Sequence, residues 1–126
     1  MIDIESLLDQ HVKIIKRLEQ LFEKLDETEE VEEIEKEIIH LLWRLSIIRR
    51  KIMKLFIQKE TYTDDTLTLL EYYSLIGLSE EEDILQKVLE YGSKGYKLLS
   101  SRREEFQENL KELKRLKDRI EELLTS

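Results

Sequence analysis

The stretch EIIHLLWRLSIIRRKIMKLFI, residues 37–57, decides the fold because it carries two apolar stripes. The first stripe begins upstream and advances in alternating steps of three and four residues, the pattern of a helix that buries one face. It consists of Val31, Ile34, Ile38, Leu41, Leu45, Ile48, Ile52 and Leu55. We therefore expect a long helix over about residues 29–59, with Thr28 as its N-cap.

The second apolar stripe lies on another flank of the same helix. Its members are Ile39, Leu42, Trp43, Ile47, Met53 and Ile57. A helix that is apolar on two sides lies between two layers or at an interface. These six residues are predicted to form an interface, which either residues 65–91 or another chain covers.

Two further long helices are predicted at the ends of the chain. The first spans about residues 4–25, follows a seven-residue repeat and has Asp3 as a plausible N-cap. The last spans about residues 94–124 and repeats its large apolar residues in the same way. Both patterns are typical of bundle helices that turn one broad stripe towards a core.

Two short helices are predicted between the long ones, over about residues 65–76 and 80–91. Ser79 and Glu82 match the capping box that starts a helix, and Gly92 is placed to close it. The turn at residues 77–79 resembles that of a helix-turn-helix, but Glu80 to Asp83 would then face DNA phosphates. The sequence thus predicts an all-α bundle of three long antiparallel helices and two short ones, in a single domain over residues 1–126.

Composition excludes several classes of protein. The 126 residues contain no cysteine, which excludes a disulfide framework and a thiolate site. The acidic start, MIDIESLLDQ, lacks the basic region of a signal peptide, and no apolar run has the length of a membrane span. We expect a cytoplasmic protein that does not enter a membrane, and the bias towards Glu, Lys and Ile favours a thermostable one.

The two histidines of the chain are candidate metal-binding or catalytic residues. Glu37 and His40 have the Glu-x-x-His spacing of di-iron bundles, but a second such pair is missing from the sequence. His11 lies on the core stripe of the first helix, where a buried imidazole needs a hydrogen-bond partner. A core histidine with such a partner is the favoured interpretation, and we expect no metal, no cofactor and no catalytic activity.

Charged clusters supply two alternative kinds of site. Five cations beside Trp43 form a candidate anion-binding or nucleic-acid-binding patch, or a solvated face that pairs with acids of the short helices. They are Arg44, Arg49, Arg50, Lys51 and Lys54. Candidate acidic docking residues are Glu29, Glu30, Glu32, Glu33, Glu80, Glu81, Glu82 and Asp83.

The leading functional prediction is a non-catalytic interaction module. It would self-associate, as a homodimer for example, or dock a partner protein through the second helix. The first alternative is an acidic regulator or inhibitor that occupies a basic, nucleic-acid-binding surface of its target. The second is anion or nucleic-acid binding through the basic patch, which the net charge of −8 disfavours.

Overall fold

The computed structural model of the chain describes residues 3–57 and 63–125. Within these ranges the regular structure is helical, with no strand, and the predicted all-α bundle is confirmed. The helices are α1 (Ile4–Leu25), α2 (Val31–Ile57), α3 (Asp64–Tyr72), α4 (Leu78–Ser93), α5 (Lys97–Ser101) and α6 (Arg103–Thr125). A π-helical turn, Tyr73–Gly77, lies between α3 and α4.

These elements form four arms. The third arm is continuous from α3 through the π-helical turn into α4, and the fourth consists of α5 and α6 with only Arg102 between them. α1 packs against α2 and α4 against α6, while α1 also lies beside the third arm and α2 beside the fourth. The molecule is therefore a pair of antiparallel hairpins packed side by side, rather than three long helices with two separate short ones.

The beginnings of α1 and α2 follow local chemistry. α1 has the predicted bounds, and the Asp3 carboxylate accepts a hydrogen bond from the Glu5 amide at 3.1 Å. Thr28 Oγ1 accepts from the Glu30 amide at 3.2 Å, so it stabilises the turn before α2, which begins at Val31. The predicted end of this helix at residue 59 lies outside the described residues.

The predicted boundary between the two short helices is wrong. Ser79 does not cap a new helix, because its hydroxyl donates to the Leu75 carbonyl at 3.0 Å within a helix that continues through it. The turn resembling a helix-turn-helix is therefore absent from the third arm. Gly92 does not close α4 either, since the helix runs to Ser93 and the chain reverses at Gly95, whose φ is +101°.

The core lies along the first stripe of α2. Ile38, Leu41, Leu45, Ile48 and Ile52 are buried against apolar residues of the other arms. The ends of the stripe, Val31, Ile34 and Leu55, are partly buried. No described helix has both the length and the hydropathy that crossing a membrane requires.

Candidate functional sites: a buried polar layer and an exposed apolar patch

A polar layer crosses the interior of the bundle, and all four arms contribute to it. Arg49 of α2 donates from Nη1 to Glu81 Oε1 of α4 and from Nη2 to Asn109 Oδ1 of α6, the latter at 2.8 Å. His11 of α1 places Nε2 3.5 Å from Glu81 Oε2. His11, Arg49 and Glu81 are all buried, so both charges of the ion pair depend on protein partners rather than water.

The π-helical turn fits the third arm around this layer. The Tyr73 ring meets His11 edge-on, with ring centroids 5.6 Å apart. Burial, reinforced by the nearby negative charge of Glu81 and opposed by Arg49, raises the Tyr73 pKa well above its usual value. A Cβ at Gly77 would lie 3.0 Å from Tyr73 Cδ1, so glycine allows the ring to pack over the helix at this point.

Several polar atoms of the layer are buried without a hydrogen bond in the described part of the chain. They are His11 Nε2, Arg49 Nε, the Tyr73 hydroxyl, Ser74 Oγ and Glu81 Oε2. Buried polar groups without partners are uncommon in folded proteins, and π-helical turns are frequent at functional sites. The layer has both unpartnered polar atoms and a π-helical turn, but its charged groups, Arg49 and Glu81, bind each other inside the bundle.

Neither histidine belongs to a metal-binding cluster. Within residues 3–57 and 63–125, no group of three or more His, Asp and Glu side chains is arranged to hold a metal ion. The Glu37 carboxylate is engaged by the Arg17 guanidinium, with two contacts at 3.0 Å, and His40 tilts against the Trp43 ring. The Glu-x-x-His spacing is thus used by an inter-helix ion pair and a ring contact.

The basic residues of α2 do not share one surface. Arg49 is buried in the polar layer, where an anion from solvent cannot reach it. Arg50 lies 3.4 Å from a carboxylate oxygen of Glu112, and Arg44, Lys51 and Lys54 are exposed. Arg49 pairs with Glu81, an acid of the predicted second short helix, but this pair is buried rather than solvated, and the choice between an anion-binding patch and a solvated face stays a prediction for the other four cations.

The predicted acidic docking residues also separate. Glu81 is buried against Arg49 and His11 and is not available to a partner. Near the start of α2, Glu29 and Glu30 are exposed, and the exposed Glu32 and Glu33 lie within ion-pair distance of Lys36. On α4, Asp83 is exposed and its neighbours Glu80 and Glu82 are partly exposed.

The second stripe of α2 divides between core and surface. Leu42 is buried in the bundle, and Ile39, Ile47 and Met53 are partly buried. Trp43 is 53 % exposed at a surface groove of about 440 Å³. The groove is lined by Lys36, Ile39, His40, Trp43, Leu98, Arg102 and Glu105. The side chain of Ile57 lies outside the described residues, and the interface itself stays a prediction.

A larger set of exposed apolar side chains lies on the third arm. Leu67, Tyr72, Leu75 and Ile76 are 38 to 58 % exposed, and we call them the α3–π patch. The sequence predicted these residues as a cover for the long helices because the segment is apolar on nearly every side. That pattern indicated burial but could not show which side chains face outwards.

Sequence reasoning also missed a helix-start contact made by a distant residue. Glu35 of α2 is buried, and its Oε2 accepts a hydrogen bond from the Leu99 amide in the first turn of α5 at 3.0 Å. A carboxylate at this position satisfies an amide that the helix itself leaves unpaired. The signal available in the sequence was a glutamate with apolar residues three or four positions away, at Val31, Ile38 and Ile39, but such a glutamate is equally compatible with a solvated position.

Comparison of the chain with protein-family models, with known proteins and with solved structures finds no match. The functional proposal therefore depends on the residues of this chain alone.

Proposed function

We propose that the chain is a non-catalytic protein–protein interaction module and that the α3–π patch is its docking surface. The observation that carries this proposal is the concentration of exposed apolar side chains at Leu67, Tyr72, Leu75 and Ile76. Contiguous exposed apolar surface on a water-soluble protein marks interaction sites more often than scattered apolar residues do. Aromatic residues such as Tyr72 are moreover enriched at interfaces.

The backbone beneath the patch is held in place, which favours binding. Tyr73 and Leu78 are fully buried on the inner side of the same arm, and Gly77 packs against the Tyr73 ring. A surface that is rigid before binding loses less conformational freedom when a partner arrives. The polar layer thus supports the proposed surface from within.

The groove at Trp43 is a second candidate surface for the same function. Exposed tryptophan is a frequent anchor of interfaces, and this groove belongs to the stripe that the sequence predicted as an interface. Its apolar area is smaller, because Leu42 faces the core and Ile39 is partly buried. We therefore rank it below the α3–π patch.

The acidic-regulator alternative has its own support. Residues 63–86 contain no Lys, Arg or His, and Asp64, Asp65, Glu71 and Asp83 are exposed there. A carboxylate surface of this kind would compete for a basic groove of a target protein. Substitution of apolar and acidic residues separates this alternative from the leading proposal, which depends mainly on the apolar side chains.

Affinity capture from a source-cell lysate tests the proposal. The immobilised wild-type chain should retain a specific protein, and the double variant Leu75→Ser/Ile76→Ser should lose it because both apolar contacts are removed. Trp43→Ser is the matched control, since it removes another exposed apolar side chain and should leave capture unchanged. Circular dichroism verifies that each variant is folded.

Two outcomes count against the α3–π patch. Loss of capture with Trp43→Ser alone would indicate that the groove at Trp43, rather than the α3–π patch, is the docking surface. Capture that both apolar variants retain, and that Glu80→Gln/Asp83→Asn abolishes, would favour the acidic-regulator alternative.

A further inference from the structure

The α3–π patch has an apolar centre at the π-helical turn. Tyr72, Leu75 and Ile76 lie within five consecutive residues, and all three side chains are exposed. Leu67 of α3 is a fourth exposed apolar side chain on the same arm. Exposed apolar side chains grouped in this way suit the apolar face of a partner helix.

The rim of the patch is acidic. Residues 63–86 carry seven carboxylates and no basic side chain, and of these seven only Glu81 is buried. α1 packs beside this arm; Asp3 precedes it, and its N-terminal half carries Glu5 and Asp9, with Lys13 Nζ 3.0 Å from Asp9 Oδ2. On the side of α6, Lys117 Nζ donates to Ser79 Oγ at 3.2 Å, which places one cation at that edge.

The sign of this charge selects among occupants. A second copy that docked patch to patch would bring two acidic rims together, and like charges across an interface oppose association. Nucleic acids and anionic membranes carry the same sign as the rim and are repelled for the same reason. A cationic protein surface is the complementary occupant.

We infer that the α3–π patch binds an amphipathic helix of a partner protein, with apolar residues on its inner face and Lys or Arg along its flanks. This inference rests on the proposed function and adds the chemistry of the partner. The apolar residues of the partner helix contact Tyr72, Leu75 and Ile76, and its cations lie near Glu71, Glu80 and Asp83. Its charge sets the rate and specificity of association, while its apolar face supplies most of the affinity.

A defined peptide tests the inference. The probe is a fluorescently labelled synthetic peptide of Leu and Lys, with leucines at helical spacing, and fluorescence anisotropy measures its binding to the full chain. The wild-type chain should bind it, and the dissociation constant should rise with salt. Leu75→Ser/Ile76→Ser should weaken binding at least about tenfold, because two central apolar contacts are lost. Leu123→Ser, which removes an exposed apolar side chain of α6 outside both candidate surfaces, is the matched control and should bind as the wild type does.

Three results would overturn the inference. The first is equal binding of a control peptide in which every Lys is replaced by Glu. The second is absence of binding, or binding that Leu75→Ser/Ile76→Ser leaves unchanged. The third is a wild-type dimer in sedimentation equilibrium that the same double variant converts to a monomer, since a second copy would then occupy the patch.

These failures are distinguishable from failure of the proposed function. If lysate capture depends on Leu75 and Ile76 while the Leu/Lys peptide does not bind, the interaction module stands and the inferred partner chemistry is wrong. If Leu75→Ser/Ile76→Ser leaves capture unaffected, the α3–π patch is not the docking surface.

Discussion

At the scale of single residues, the contact between Arg49 and Glu81 is the most deeply buried ion pair in the described part of the chain. Both side chains are buried, and the two residues lie 32 positions apart in sequence. Taking two charges out of water is costly, and their mutual attraction with further hydrogen bonds must offset that cost. Asn109 supplies one such bond to Arg49, and His11 lies close to Glu81.

Removing one partner of this ion pair should destabilise the fold more than replacing both partners with apolar residues. Arg49→Met and Glu81→Leu should each lower the free energy of unfolding by about 3 to 5 kcal/mol, because each leaves the opposite charge buried without its partner. The double variant Arg49→Met/Glu81→Leu should recover most of the loss. Chemical denaturation of the four proteins gives the full double-mutant cycle.

The control for this cycle is a solvent-exposed pair. Lys13 Nζ lies 3.0 Å from Asp9 Oδ2 on the surface of α1, and Lys13→Ala should change stability little. If Arg49→Met and Glu81→Leu are each as stable as Lys13→Ala, the buried ion pair does not stabilise the fold.

At the scale of elements, Tyr91 joins the ends of two arms. Its hydroxyl donates to both carboxylate oxygens of Asp26, at 3.1 and 3.0 Å, and its ring stacks on Phe22 with centroids 5.3 Å apart. Burial, together with the hydrogen bond to Asp26, raises the Tyr91 pKa from 10.0 to about 12. The bond therefore ties α4 to the C-terminal end of α1 as long as the phenol stays protonated.

The pH dependence of this contact has a definite sign. A pKa raised by folding contributes stability that is fully present below pH 10.0 and is lost as the pH rises towards about 12. The difference in unfolding free energy between wild type and Tyr91→Phe should thus be constant below pH 10.0 and shrink above it. The other ionisable groups are common to both proteins, so their contributions cancel in the difference.

Phenolate absorbance provides the direct measurement. Tyr91→Phe should remove the tyrosine that titrates near pH 12, and Asp26→Asn should move that titration part of the way back towards 10.0. A difference titration that places Tyr91 at its ordinary pKa would contradict the proposed contact.

Individual elements show why sequence could predict part of this fold. α1 was predicted with its observed bounds, because its apolar repeat and its cap are both local signals. The join between α3 and α4 was missed, because Gly77 and the Ser79–Glu82 pair carry the same local pattern as a helix start. Contacts at this join keep the chain helical, because Gly77 faces the Tyr73 ring and the Ser79 hydroxyl donates to the Leu75 carbonyl.

The polar layer shows more clearly what could not be predicted from the sequence. Arg49 and Glu81 belong to sequence runs of like charge, which predicted exposure for both. Only the meeting of arms distant in sequence removes them from water, and no periodicity within α2 or α4 encodes that meeting. The exposure of Leu75 and Ile76 has a similar origin, because the buried Tyr73, Ser74 and Gly77 determine which side of the arm faces the core.

At the scale of the whole molecule, the packing of the polar layer determines which residues of the third arm form the α3–π patch. The layer turns Tyr73 and Ser74 inwards, and the apolar residues that follow them then face solvent over an acidic rim. A net charge of −8 gives two copies of the chain like charges, which oppose their association. Under the inference drawn above, the α3–π patch is exposed in the isolated protein and is covered by a cationic partner helix.

Thiol labelling tests this central claim most directly, because the native chain contains no cysteine. In Leu75→Cys, the thiol should react rapidly in the isolated protein at every protein concentration, and addition of the Leu/Lys peptide should slow the reaction. Trp43→Cys should react at the same rate with and without the peptide, and Leu70→Cys, at a fully buried position, should stay protected. A Leu75→Cys thiol that is protected in the isolated protein, or that reacts equally fast with saturating peptide, would contradict the account.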